Sequence, residues 1–223
     1  MKSLFVTATN TDIGKTYSTV KLIELFAKQG ILIGVCKPIE TGVIKEPLDA
    51  ALLLKVVQKY NNNFRSLSPK DITAYTFSLP AAPFCADRNK VIDINIIKNK
   101  INQLEKLCDL LIIEGAGGLF VPITKDYKMI DLASDLKSMT LLVTPSKLGC
   151  INDTLLSIEA LKHSKIDFEW TVNLFENREE FQEVTQPFYD EVFPNWWSIQ
   201  NSLEEFVKNC IEKSGLSKNL NSI

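Results

Sequence analysis

Short apolar runs alternate along the chain with longer segments in which apolar residues recur at helical spacing. Several of the runs, such as Leu110 to Ile113, show no polar alternation, which is typical of strands covered on both faces. The predicted strands are residues 3–7, 32–37, 110–114, 141–144 and 170–174. The predicted helices are residues 15–28, 49–60, 94–107, 130–137 and 152–163. This alternation predicts an α/β protein whose parallel sheet is covered by helices on both faces.

The C-terminal part of the chain adds one more segment of helical spacing. Its apolar residues are Leu203, Phe206, Val207, Cys210 and Ile211. Its charges are mixed and not basic, so a helix that packs on the core or on a partner is favoured over a membrane anchor. A turn is predicted at residues 61–63, a Pro/Ala-rich loop at residues 78–83, and fraying from about residue 214. No linker interrupts the pattern, so residues 1–223 are expected to form one domain.

The composition of the 223-residue chain excludes several classes of protein. With 45% hydrophobic and 23% charged residues, it is typical of a globular domain. Lys and Arg number 25 against 27 Asp and Glu, so no overall positive charge attracts nucleic acid. Neither a signal sequence nor a run of about eighteen apolar residues is present, so a cytoplasmic protein without a membrane partner is expected. The five dispersed cysteines and the single histidine, His163, favour reduced thiols in packing positions over a zinc site.

The first predicted strand leads directly into a candidate phosphate-binding loop. The run ends in Gly14-Lys15-Thr16 at the predicted start of a helix, where backbone N–H groups face an anion, Lys15 supplies charge and the Thr16 hydroxyl suits Mg²⁺. The strict G-x-x-x-x-G-K-[ST] pattern fails, because Thr9 stands at the position of its first glycine. The alternative is a helix that merely begins with these three residues.

Two further strands end in candidate catalytic residues. Glu114 closes a buried strand and precedes a glycine-rich turn, at the sheet edge where open α/β proteins bind ligands. Its carboxylate is a candidate Mg²⁺ ligand, or else a structural cap. Lys37 follows the second strand at the same edge and, with Lys15, suits a substrate that develops negative charge during phosphoryl transfer, unless it is a solvated surface lysine. Asp49 precedes an apolar helix and, taken alone, is equally well explained as its N-cap.

Together these motifs resemble the dethiobiotin synthetase family. The matching segments are residues 7–16, Lys37-Pro38 with Thr41-Gly42, Asp49-Ala50, residues 114–118 and residues 147–152, in order through about three quarters of the chain. The family loop has one extra residue, which accounts for the failed strict pattern, and its first glycine falls on Ala8 here. The resemblance implies a phosphate-loop α/β fold and the ATP- and Mg²⁺-dependent conversion of 7,8-diaminopelargonic acid and CO₂ to dethiobiotin in biotin biosynthesis. The implied reaction proceeds through a carbamate and a carbamic–phosphoric anhydride.

The resemblance also implies roles for individual residues. Lys37 and Lys15 would be catalytic, and Thr16, Asp49 and Glu114 would hold Mg²⁺. The nucleotide would contact Asp12, Ile13, Gly14, Lys15, Thr16, Tyr17, Asp49, Glu114, Gly115, Ala116, Gly117 and Asn173. The substrate would contact Thr11, Thr41 and, across a homodimer interface, Gly149, Cys150, Ile151 and Asn152.

The resemblance weakens after Asn173, and other functions stay open there. The family's Gly-x-x-Pro segment that frames the base is absent, and Trp196 and Trp197 stand near its place, either to stack on the purine or to close a core or an interface. A partitioning or division-site ATPase switch is the main alternative, although Asn10 replaces the second lysine typical of that class. A related amidotransferase would need more chain after Asn173 than is present.

Overall fold

The structure, a computed structural model, describes residues 2–176 and 178–216. Its strands are β1 (Ser3–Ala8), β2 (Ile33–Cys36), β3 (Ile39–Thr41), β4 (Tyr75–Phe77), β5 (Leu110–Gly118), β6 (Met139–Pro145) and β7 (Phe168–Asn173). Five of them form a parallel sheet in the order β2-β5-β1-β6-β7. All five predicted strands are confirmed. Because the strands are parallel, their carboxyl ends meet at one edge of the sheet.

The helices flank this sheet, as predicted. They are α1 (Lys15–Lys28), α2 (Leu48–Val57), α3 (Pro83–Ala86), α4 (Ile94–Leu104), α5 (Met129–Leu136), α6 (Cys150–His163), α7 (Arg178–Glu180), α8 (Gln186–Val192) and α9 (Ile199–Ser214). Every residue of β1 is buried, and successive strand residues point to opposite faces, so both faces of the central strand are covered. None of the described helices is long and apolar enough to cross a membrane.

The predicted C-terminal helix exists and packs on the core. Leu203, Phe206, Val207 and Cys210 of α9 are buried against the main hydrophobic cluster. Of the tail predicted to fray from about residue 214, residues 217–223 lie outside the described residues, and α9 itself continues to Ser214. All five cysteines are free thiols, three of them buried, and His163 is exposed in the last turn of α6.

A second, two-stranded parallel sheet was not predicted. β3 pairs with β4, with Ile39 opposite Tyr75 and Thr41 opposite Phe77. Strands of three residues are too short to show a period of two, which explains why the pattern missed them. The predicted loop at residues 78–83 is one residue too long, because α3 begins at Pro83. The turn predicted at residues 61–63 is present as a 3₁₀ turn, Asn62–Phe64, capped by the side chain of Asn61.

Candidate active site

The phosphate-binding loop joins β1 to α1 and leaves the helix N-terminus open to an anion. Gly14 occupies the N-cap position with φ 98°, a left-handed conformation that favours glycine. A Cβ atom at Gly14 would lie 2.2 Å from Asn173 Nδ2, so close approach requires glycine here as well. Since Gly14 has no side chain to cap α1, the N–H groups of the first turn remain available to a phosphate.

Lys15 is a buried cation with a neutral partner. Its side chain is 7% exposed, and Nζ donates to the carbonyl oxygen of Asn10 at 2.8 Å. Burial and the nearby charge of Lys37 lower the pKa of Lys15 to about 8. An anion in the loop is therefore the ligand that would stabilise the charged form of Lys15.

Lys37, Glu114, Asp49 and Thr16 form one connected network at the carboxyl edge of the sheet. Lys37 Nζ lies 2.6 Å from Glu114 Oε1 and 3.0 Å from Asp49 Oδ2, and Thr16 Oγ1 donates to Glu114 Oε1 at 3.0 Å. Burial opposes the charged form of Lys37, but the two carboxylates outweigh it and hold its pKa above the usual value. Lys37 is thus a fixed, buried cation, and the alternative of a solvated surface lysine is wrong.

Glu40 is a site residue that the sequence interpretation missed. Its carboxylate accepts the backbone N–H groups of Asp49 at 3.0 Å and Ala50 at 2.9 Å, in the first turn of α2. Burial is the main cause of the raised pKa of Glu40. Asp49 is therefore not the N-cap of α2: Pro47 occupies that position, and Glu40 caps the turn from β3. This leaves the Asp49 side chain free to pair with Lys37.

One cavity of about 630 Å³ unites most of the predicted residues. Its lining includes the predicted residues Thr11, Asp12, Gly14, Lys15, Thr16, Tyr17, Lys37, Thr41, Asp49, Ala116 and Gly117. Ile39, Glu40, residues 80–83 and Val121 complete the wall, and none of these was predicted. Glu114 is fully buried behind Lys37, and Gly115 offers its carbonyl oxygen to Lys37 Nζ at 3.4 Å.

Of the three residues considered for the base, Asn173 contacts the phosphate loop, whereas Trp196 and Trp197 pack elsewhere. Asn173 is buried, and its Nδ2 donates to the carbonyl oxygen of Ile13 at 3.0 Å. Trp196 packs on Phe181 at 5.6 Å between ring centroids, and Trp197 stacks on Phe206 at 5.1 Å. Both indole rings therefore pack in the C-terminal part of the fold, as the packing interpretation predicted. Neither of them lines the cavity.

The segment from Gly149 to Asn152 does not line this cavity. Gly149 caps the start of α6 with φ 91°, and a Cβ atom there would meet open space. The Cys150 side chain is buried, 3.7 Å from Tyr189 Oη, and its N–H donates to the carbonyl oxygen of Lys147. Within this segment, the N–H groups of Ile151 and Asn152 remain the candidates for an anion.

The site fits Mg²⁺ by its donor set. Thr16, Asp49 and Glu114 offer the hard oxygen ligands that Mg²⁺ prefers. Glu114 Oε2 is buried without a hydrogen-bond partner, and such an atom is expected to meet a cation or a donor. In the described part of the chain, no cluster of three or more His, Cys, Asp or Glu side chains is arranged to hold a metal. A Mg²⁺ ion here would therefore depend on phosphate oxygens and water for its remaining ligands.

Comparison with known proteins identifies relatives along most of the chain. A family model described as an AAA domain matches residues 2–184. The ATP-dependent dethiobiotin synthetase BioD of Sulfurovum sp. is 57% identical over 94% of this chain and 100% of its own length. The synthetase of the same name from Wolinella succinogenes is 37% identical over 95% of this chain and 99% of its own. Among solved structures, the MinC:MinD cell division complex of Aquifex aeolicus is similar with a TM-score of 0.52 at 16% identity, over 94% of this chain and 86% of that one, a likeness of fold alone.

Proposed function

The chain belongs to the dethiobiotin synthetase family, and on this premise we propose that it is an ATP-dependent ligase of biotin biosynthesis. Its substrates would be 7,8-diaminopelargonic acid, CO₂ and ATP, and its products dethiobiotin, ADP and phosphate. The observation that carries the proposal is the single cavity that holds both Lys15 of the phosphate loop and the buried Lys37. Cations at one place stabilise the charge that develops when a phosphoryl group is transferred to an anion.

The reaction balances in three steps. One amine of the substrate adds to CO₂ and loses a proton, giving a carbamate. A carbamate oxygen attacks the γ-phosphorus as the bond to the ADP oxygen breaks, which leaves a carbamic–phosphoric anhydride. The second amine then attacks the carbonyl carbon, phosphate leaves, and the cyclic urea closes with loss of a proton.

Each lysine has a distinct task in this proposal. Lys15 would follow the transferring phosphoryl group, because its neutral partner, the carbonyl oxygen of Asn10, is readily exchanged for an anion. Lys37 would hold the carbamate oxygen in line with the γ-phosphate, because Glu114 and Asp49 keep its ammonium fixed. Preorganised charges of this kind stabilise a transition state without reorganisation.

Mg²⁺ would be held by Thr16, Asp49 and Glu114, together with phosphate oxygens. When bound, it would neutralise charge on the β- and γ-phosphates. The phosphate loop from Asp12 to Tyr17 and the turn at residues 115–117 would contact the nucleotide, and Thr11 and Thr41 the substrate. These roles rest on the family resemblance and on the placement of the residues around one cavity.

We further propose that a homodimer completes the substrate site. The substrate carboxylate lies several carbons from its amines, and the segment of residues 149–152 lies outside the cavity that holds Lys37. A second subunit would bring the N-terminus of α6, with its positive dipole end, to that carboxylate. An Asn152→Asp variant places an extra negative charge there and should raise the KM for diaminopelargonate while leaving the Kd for MgATP unchanged.

Mixing two defective variants tests the shared site. When equal amounts of Asn152→Asp and Lys37→Gln subunits exchange at random, half of the dimers are mixed and each mixed dimer has one intact site. Activity should therefore return to about a quarter of the wild-type value. Subunit exchange confirmed by mass spectrometry, with no recovery of activity, would show that each site lies within one chain.

The proposed activity itself is tested by incubating the protein with diaminopelargonate, bicarbonate and MgATP. Dethiobiotin and ADP should form in equal amounts, and Lys37→Gln should lower kcat by at least about a hundredfold, the effect of losing one preorganised donor. ATP hydrolysis that ignores diaminopelargonate, with no dethiobiotin formed, would refute the ligase and favour a nucleotide switch.

A further inference from the structure

A tyrosine hydroxyl is buried against the first turn of α6, the segment proposed to receive the substrate carboxylate. Tyr189, in α8, is fully buried. Its Oη donates to Thr154 Oγ1 at 3.0 Å and lies 3.7 Å from Cys150 Sγ. Cys150 and Thr154 are four residues apart, so they lie on the same face of α6, one helical turn from each other. One hydroxyl therefore fastens both the first and the second turn of α6 to α8.

The ring of Tyr189 is itself held in place by other aromatic side chains. Its centroid lies 5.2 Å from that of Trp170 and 5.9 Å from that of Phe181. The ring of Trp196 lies 6.0 Å away. Aromatic pairs at these distances attract each other beyond the effect of burial alone. Because the ring is enclosed in this way, its hydroxyl is a fixed point from which α6 is held.

The hydroxyl is costly to bury unless it is hydrogen-bonded. An unpaired hydroxyl in apolar surroundings costs about 1–3 kcal/mol, and Thr154 removes that cost by accepting its proton. Burial raises the pKa of the Tyr189 phenol and of the Cys150 thiol, so both groups stay protonated. A phenylalanine here would keep the ring and its packing but would lose the bond to α6.

The outer side of the N-terminus of α6 is open. Gly149 occupies the N-cap position with φ 91° and has no side chain with which to cap the helix. A Cβ atom at Gly149 would meet open space, and the side chain of Leu148 is 70% exposed. The position of the first turn therefore depends on its buried face, where Cys150 meets Tyr189.

We infer that Tyr189 is a positioning residue for the substrate carboxylate: its hydroxyl fixes the first turn of α6, and so the direction of the N–H groups of Ile151 and Asn152. The interaction of an anion with a helix N-terminus is confined to the first turn, so a shift of that turn weakens it. Tyr189 is buried and acts through the helix. The inference rests on the proposed function, in which this N-terminus receives the carboxylate of diaminopelargonate.

Steady-state kinetics with two substrates tests this role. The first is diaminopelargonate, and the second is 2,3-diaminooctane, the same diamine without its carboxylate. For Tyr189→Phe we expect kcat/KM with diaminopelargonate to fall about tenfold, which corresponds to about 1.4 kcal/mol. The loss should lie in KM, with kcat and the Kd for MgATP unchanged. The kcat/KM with 2,3-diaminooctane should also be unchanged. If this diamine turns over too slowly, its Ki against diaminopelargonate gives the same comparison.

Two further variants complete the experiment. Tyr127→Phe is the matched control, because it also removes a tyrosine hydroxyl that donates to a side chain, that of Asp135 at 2.8 Å. It should leave kcat/KM unchanged for both substrates. Thr154→Val removes the acceptor of the Tyr189 hydroxyl at nearly constant shape. It should reproduce the selective loss, and it tests the inference even if Tyr189→Phe does not fold.

Each outcome decides the question. A loss confined to the substrate with a carboxylate supports the inference. An equal loss with both substrates, or unchanged kinetics alongside a lowered Tm, would overturn it and leave Tyr189 a structural residue. A wild-type protein that uses both substrates equally well would show that α6 does not bind the carboxylate, so the inference would fail while the ligase activity stands. A wild-type protein that forms no dethiobiotin would refute the proposed function itself.

Discussion

The lowered pKa of Lys15 makes nucleotide affinity depend on pH in a defined way. Burial and the charge of Lys37 bring this pKa to about 8, so Lys15 is charged below that pH and neutral above it. Bound phosphates favour the charged form and raise the pKa in the complex. Between pH 7 and pH 9 the charged fraction of the free protein falls from about nine tenths to about one tenth. The Kd for MgATP should therefore rise about tenfold over this range, or about 1.4 kcal/mol.

Proton uptake is the direct measurement of this effect. Calorimetric titration of MgATP at pH 9, in two buffers of different ionisation enthalpy, should show about 0.9 proton taken up per nucleotide bound. At pH 7 the uptake should fall to about 0.1. Lys37 should contribute nothing, because its pKa is raised and it is charged throughout this range.

Lys15→Arg is the control, because a guanidinium stays charged at every pH used. This variant should show no proton uptake at pH 9 and a Kd that is flat with pH, whatever its absolute affinity. Equal uptake by the wild type and by Lys15→Arg would assign the proton to another group. A flat wild-type Kd from pH 7 to pH 9 would refute the electrostatic account of Lys15.

Three further predictions concern Lys37, Glu40 and the selectivity for the nucleotide base. Lys37→Gln should lower the free energy of unfolding, measured in urea, by about 3–5 kcal/mol, because Glu114 is left buried without its cation. Adding Glu114→Gln removes that buried charge, so the double variant should regain much of the stability but none of the turnover. Glu40→Gln should raise the Mg²⁺ concentration needed for half-maximal activity and cost about 1–3 kcal/mol of stability. The N–H groups of residues 49 and 50 bond to different oxygens of Glu40, and in the variant one of them would face an NH₂ donor. An unchanged Mg²⁺ requirement would show that Glu40 does not set the position of the Asp49 side chain. With Trp196 and Trp197 packed in the core, kcat/KM should favour ATP over GTP and CTP by much less than about a thousandfold, and steady-state kinetics with all three would detect a larger preference.

The central fold could be predicted because its elements are long. The strands and helices of the sheet each span enough residues to show their period, and β1 runs directly into the phosphate loop and α1. β3 and β4 are too short to show a period, so the cavity wall that carries Glu40 could not be predicted. The positions of Lys37 and Glu114 at the ends of two strands indicated both as candidates, but their ion pair became visible only in the structure.

Glu40 and Gln200 could not be predicted for a different reason. Glu40 acts on the backbone N–H groups of residues 49 and 50, and Gln200, at the start of α9, bonds to the side chain of Asn173 and the N–H of Leu174. Such contacts cross between elements and follow no fixed spacing. The partners of both residues include backbone groups. Every residue type carries such groups, so the sequence does not indicate which of them will be bonded. Only the three-dimensional arrangement reveals residues of this kind.

The two lysines of the cavity are suited to different roles in the proposed reaction, because their hydrogen-bond partners differ. An ammonium group has three N–H donors. For Lys37, Glu114 and Asp49 engage two of them at 2.6 and 3.0 Å, and the carbonyl of Gly115 engages the third only weakly at 3.4 Å. One donor can therefore turn to a carbamate oxygen while the two carboxylates keep the nitrogen in place. Within the described residues, Lys15 Nζ instead donates to one neutral carbonyl, that of Asn10, so it can move with a phosphoryl group during transfer. In the proposed reaction, the fixed cation would hold the nucleophile in line and the movable one would stay with the migrating phosphate, which supplies the positioning and the charge stabilisation that phosphoryl transfer uses.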